Sequence, residues 1–181
     1  MKSKLIVLIV IITIASKAIA QLPIDDETGK VVFTDVVELD GMTKDEIYQK
    51  AKYWVITTLK SGDNMVELDG TNSDQIIGTG NISLPDESIS FCSNVVLNFK
   101  FIVKCKDNRL KYNIENFNLS CILSNNSLHS TGIENITPPK QFYNKNKPKF
   151  ITEVKMSVNI SIGQLVNNFK ASMTKKDEDD W

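Results

Sequence analysis

The residues of this chain that could do chemistry are few and poorly spaced for it. There is one histidine, His129, so a Ser-His or Cys-His nucleophile system would have to use it. It lies among serines and asparagines, which predicts a solvated side chain. Cys92, Cys105 and Cys121 are separated by 12 and 15 residues, a spacing that matches no zinc pattern. Carboxylates cluster at Asp25-Asp26-Glu27, in a polar and exposed-looking lead-in. They recur in Asp69-Gly70-Thr71-Asn72-Ser73-Asp74, which invites a calcium reading. An EF-hand loop needs Gly at its sixth position and Glu at its twelfth. Counted from Asp69, Gly70 is second and Gly80 is twelfth, so the segment reads as a turn. No Gly-x-Ser-x-Gly elbow, His-Glu-x-x-His pair or phosphate loop is present. The expectation is a protein with no catalytic, metal or cofactor-binding residues and no enzymatic activity. Carboxylate-based hydrolysis involving Asp25 is the distant alternative.

Any such residues would act outside the cytoplasm. Lys2 and Lys4 precede an apolar run from Leu5, and Ala18-Ile19-Ala20 precedes Gln21. A basic start, a short apolar stretch and a small-x-small site form a secretory signal with cleavage between Ala20 and Gln21. The 11 residues Leu5–Ala15 make a helix of about 16 Å, against a hydrocarbon core of about 30 Å, which is short for a membrane span. Residues 1–20 are thus read as signal, 21–174 as a single domain and 175–181 as an acidic tail. The chain has 21 Lys and Arg against 22 Asp and Glu; losing Lys2, Lys4 and Lys17 brings the net charge to −4. That balance gives no footprint for nucleic acid. A periplasmic or extracellular location follows, with no transmembrane segment after cleavage and an unknown partner.

An odd number of cysteines in an exported chain leaves a free thiol or an intermolecular bond. Cys105 and Cys121 occupy apolar alternating positions and read as buried thiols. A Cys92–Cys121 bridge is the alternative, which sequence spacing does not decide. Asn-x-Ser/Thr occurs at Asn81, Asn118, Asn125, Asn135 and Asn159, as chance would produce in a chain this rich in Asn and Ser.

The elements that position these residues follow from periodicity. Val31–Leu39 is dense in β-branched residues and reads as a strand. Thr43 and Glu46 make a capping box, and Ile47, Ala51, Trp54, Val55 and Thr58 form one stripe of a helix from Lys44 to Leu59. Met65–Leu68 and Gln75–Leu84 read as a hairpin, with Gly78 and Gly80 leaving room for a bend or a close approach. Val95, Leu97, Phe99, Phe101, Val103 and Cys105 alternate with mostly polar neighbours. A two-residue turn at Asp107-Asn108 sets Cys105 opposite Leu110, Val103 opposite Tyr112 and Phe101 opposite Ile114, all on one buried face. The apolar phase then shifts to Phe117, Leu119 and Cys121, which requires a bulge near Glu115-Asn116. Phe99, Phe101, Val103, Tyr112 and Ile114 are either core or the lining of a cleft between sheet and helix. Residues 124–149 are polar and read as a mobile excursion or a functional surface loop. Ile151–Met173 fits both a strand and a helix at its start, and its length favours the helix. The sum is a two-layer α+β domain: a curved antiparallel sheet of about five strands, covered by two helices, in the order strand, helix, four strands, helix.

The stretch Leu22-Pro23-Ile24-Asp25 through Thr28-Gly29-Lys30-Val31-Val32-Phe33, with Val36-Val37-Glu38-Leu39-Asp40-Gly41, Lys44-Asp45-Glu46-Ile47-Tyr48 and Ala51-Lys52-Tyr53-Trp54, resembles an exported family of uncharacterised Bacteroidota proteins. That family is a domain of unknown function with a TATA-box-binding-protein-like fold. The clearest match covers residues 22–60; the strand-rich middle agrees in order, and the C-terminal third only in having a helix. The resemblance implies fold and location, and brings no catalytic residues. The fold name suggests nucleic-acid binding, against which export and the net charge argue. The expected function is a non-enzymatic binding or interaction module of the bacterial envelope. The alternative is a carrier of an apolar, lipid-like molecule.

Overall fold

The computed structural model describes residues 21–59, 67–68, 75–85, 92–123, 126–136 and 147–175. In chain order the elements are β1 (Phe33–Glu38), α1 (Lys44–Thr58), β2 (Glu67–Leu68), β3 (Gln75–Ser83), β4 (Cys92–Lys106), β5 (Arg109–Leu123), β6 (Leu128–Gly132), a 3-10 turn (Ile133–Asn135) and α2 (Lys147–Thr174). The six strands form one antiparallel sheet in the order β1-β5-β4-β3-β2. β6 shares the edge of β5 with β1: β1 pairs with residues 109–114 and β6 with residues 118–122.

Strict alternation in β4 and β5 determines the register of the sheet. Cys105 pairs with Leu110, Val103 with Tyr112 and Phe101 with Ile114, as the two-residue turn requires. The expected bulge is present: Lys100 pairs with Glu115, but Asn98 pairs with Asn118. Asn116 absorbs the extra residue in a left-handed conformation, φ 56°, which Asn tolerates better than most residues. A second bulge, not anticipated, lies between Ser93 and Val96, where Asn94 has φ 50°. The hairpin tip then fastens the start of α1. The Gly41 and Lys44 backbone N–H groups donate to Asn108 Oδ1 (2.8 Å) and Asp107 Oδ1 (2.7 Å). The capping box closes beside them, with Glu46 N–H donating to Thr43 Oγ1 at 3.3 Å and Thr43 N–H to Glu46 Oε2 at 2.7 Å.

Both helices cover the same face of the sheet. Ile47, Ala51, Trp54 and Val55 of α1 are buried, as are Val154, Val158, Ile162, Phe169 and Met173 of α2. Thr58, assigned to the α1 stripe, is exposed, and Leu59 is buried in its place. Phe101 is fully buried, with ring centroids 5.4 Å from Trp54, 5.1 Å from Phe169 and 6.1 Å from Tyr112. Trp54 Nε1–H donates to Asn168 Oδ1 at 2.8 Å, so the indole joins the two helices while its ring stays in the core. Gly78 and Gly80 permit the close approach of α1. A Cβ on Gly78 would stand 2.8 Å from Val55 Cγ1, and one on Gly80 the same distance from the Phe99 ring.

Several expectations are corrected. The 124–149 excursion holds β6 and the 3-10 turn, and α2 begins at Lys147, so a short sixth strand joins the edge of the five-strand sheet that was expected. β6 was hidden because Thr131 is the one β-branched residue among Leu128–Gly132. Cys121 is disulfide-bonded, not a buried thiol, while Cys105 is a buried thiol as expected. The lead-in is more structured than its polarity implies. Leu22 is buried, and Ile24 bridges Val31 across a turn with Gly29 at φ 66°. The signal segment, residues 60–66, the turn 69–74 and residues 176–181 lie outside the described residues.

α2 is also tied to the edge strand. Lys170 Nζ lies 2.6 Å from Asp35 Oδ2 and 5.8 Å from the Tyr112 ring centroid. The Lys170 hydrogen bond holds the Asp35 carboxyl below its ordinary value of 3.8. The same bond pushes Lys170 above 10.5. A lowered carboxylate pKa stabilises the fold above the unfolded value and ceases to do so as pH falls through the folded one. Both side chains are partly exposed, so screening limits the pair to about 0.2–1 kcal/mol. Asp35→Asn is therefore expected to lower stability by about that amount at neutral pH. In denaturant titrations at several pH values, the difference from the parent should vanish in acid below the ordinary carboxylate range.

Candidate binding surfaces

The five residues expected to be core or cleft lining lie in the core. Phe99 is 3%, Phe101 0%, Val103 0%, Tyr112 4% and Ile114 0% exposed. Side chains of α1 and α2 occupy the space against them, so the groove between sheet and helices is filled.

The opposite face of the sheet is bare among the described residues. Alternation places Ile77, Ile102 and Asn113 across its centre, with Ile102 paired to both of the others. Thr34 Oγ1–H donates to Asn113 Oδ1 at 2.7 Å, a cross-strand bond on the exposed side. Lys100 pairs with Glu115, but the last two pairs before the hairpin tip on this face are like-charged, Lys104 with Lys111 and Lys106 with Arg109. Like charges in register oppose pairing, so the strands carry them against a local cost. Sequence reading identified the even positions as mostly polar, yet the cationic pairs emerge only when turn and register are combined.

A second surface is an open cleft of about 930 Å³ where α1 begins and α2 ends. Leu39, Met42 and Met173 line it together with four carboxylates, Glu38, Asp40, Asp45 and Glu46, and two cations, Lys50 and Lys175. Lys50 Nζ–H donates to the Lys175 carbonyl at 2.7 Å, so α1 supplies the cation that the last turn of α2 lacks. Hydrogen bonds from Thr43 hold the Glu46 carboxyl below its ordinary range. No cluster suited to a metal ion occurs among the described residues. The cleft joins residues more than 130 positions apart, so no local pattern announced it.

The remaining candidates are placed as follows. Asp25 Oδ1 accepts from Thr28 N–H (2.8 Å) and Thr28 Oγ1–H (2.7 Å), and these bonds hold its carboxyl below the ordinary range. That favours a carboxylate committed to a turn over one able to carry a proton at neutral pH. His129 is not a solvated loop residue. It sits on β6 opposite Cys121, half-buried, with its Nε2 buried and without a hydrogen-bond partner among the described residues. The structure brings neither Asp25 nor Asp26 and Glu27 to the cleft or the bare face. No helix among the described residues is long and apolar enough to cross a membrane.

Two crystal structures share the fold. One is a TBP-like protein from Parabacteroides distasonis, with a TM-score of 0.67 at 15% identity, over 86% of this chain and 98% of that one. The other is a DUF4468 family protein from Bacteroides ovatus, with a TM-score of 0.62 at 19% identity, over 88% of this chain and 94% of that one. No curated protein matches the chain. Residues 33–120, from β1 through most of β5, match the family described as a domain of unknown function (DUF4468) with TBP-like fold, and the chain belongs to that family.

Proposed function

We propose that the chain is a non-enzymatic binding module exported to the bacterial envelope, and that the bare face of its sheet is the contact surface. The observation that carries this reading is the asymmetry of the sheet. One face is sealed by both helices around Phe101, while the other presents exposed lysines, asparagines and threonines beside a half-buried Ile77–Ile102 pair. Polar groups around a modest apolar centre are the composition of a protein–protein contact. Export rests on the signal pattern of residues 1–20. A photo-crosslinking residue at Asn113, on the bare face, is expected to give a discrete adduct in the native host. The same residue at Met156, on the outer surface of α2, should give none. Adducts from Met156 alone would overturn the choice of face.

A second reading, a carrier of a small molecule, draws on the cleft and not on the filled groove between the layers. Its apolar side chains and its excess of carboxylates over lysines suit an amphiphile bearing a cation. Native mass spectrometry of the protein from the exported fraction tests both parts. The expected mass begins at Gln21, and a carrier would hold an added mass that denaturation removes. A bare mass would leave the bare-face reading alone.

A further inference from the structure

We infer that the cationic end of the bare sheet face is a seat for an acidic peptide segment, and that the chain's own Asp177-Glu178-Asp179-Asp180 is its occupant. Lys104 with Lys111 and Lys106 with Arg109 set four cations on one face in two successive cross-strand pairs, and all four are exposed. Among the described residues none of these side chains enters an ion pair or a hydrogen bond. Neighbouring strands are about 4.8 Å apart, and same-face positions along a strand about 6.8 Å, so the four charges form a compact patch. The one acidic residue in register beside it is Glu38, opposite Arg109. A carboxylate-bearing segment laid on this patch would relieve two like-charge repulsions together.

The chain carries such a segment, and it starts nearby. Lys175 lines the cleft together with Glu38, and Glu38 is one strand from Arg109 and two from Lys106. Six residues follow Lys175, four of them acidic in a row. Extended, six residues reach about 20 Å, enough to cross the edge strand and meet β5 and β4. The cleft is the less favourable place for them, because three further carboxylates, Asp40, Asp45 and Glu46, outnumber its two cations, Lys50 and Lys175. The acidic excess on the helix side and attraction on the sheet side direct the segment over β1.

This inference rests on the bare face being the surface used, but its test does not require a partner. The full exported chain is treated with a zero-length carbodiimide, which joins carboxylates to amines in contact. Monomers are then mapped by peptide mass spectrometry. The expected links join Asp177–Asp180 to Lys104, Lys106 or Lys111. They should disappear at about 1 M salt, where the screening length falls to about 3 Å, and in the Lys104→Glu/Lys111→Glu variant. In a chain carrying Asp177→Asn, Glu178→Gln, Asp179→Asn and Asp180→Asn, acetylation of Lys104 and Lys111 should rise severalfold. Links confined to covalent dimers would assign the seat to a second copy and overturn the proposal. So would links to Lys50 or Lys44 in place of the sheet lysines. If Asn113 captures no partner and the tail links still form, the module reading fails and the seat stands.

Discussion

Phe101 projects from β4 between Trp54 of α1 and Phe169 of α2, with Tyr112 stacked beside it from β5. Each ring buries a large apolar area and the four meet in stacked, tilted and edge-on pairs, so both helices gain most by lying on this one face. The glycines of β3 let α1 descend onto the sheet, and the Trp54–Asn168 bond fixes the helices to each other. Because the two long helices are committed to this side, neither covers the opposite face, which is bare among the described residues. The bare face is thus a consequence of the aromatic packing, not a separate feature.

Much of this was legible in the sequence where local rules are strong. The register of β4 and β5 followed from alternation plus a two-residue turn, and the phase slip at Phe117 revealed the bulge at Asn116. The capping box at Thr43 and Glu46 placed the start of α1, and the length of the apolar repeat made Ile151–Met173 a helix despite its β-branched residues, though not the first turn from Lys147. Elements stabilised by tertiary contacts were not legible. β6 has little strand propensity and forms because β5 offers an edge beyond the end of β1. The bulge at Asn94 sits where the buried face leaves no phase slip to reveal it. The disulfide of Cys121 and the cleft between α1 and α2 join residues that only the fold brings together.

Charge is partitioned with the same logic as apolar surface. Acidic residues line the cleft at the helix ends, where Lys50 caps α2, and cations gather on the bare face near the hairpin tip. These regions adjoin, because Asp107 and Asn108 of the tip hold the loop before α1.

The central claim is that adjacent residues of one strand face a sealed core and an open surface. Urea unfolding of two neighbouring substitutions in β4 tests it most directly. Phe101→Ala is expected to cost about 3–5 kcal/mol, as removal of a fully buried ring does. Ile102→Thr, which keeps the β-branch on the uncovered side, is expected to stay within about 1 kcal/mol of the parent. Comparable losses at both positions would show that the second face is covered as well, and would contradict the account.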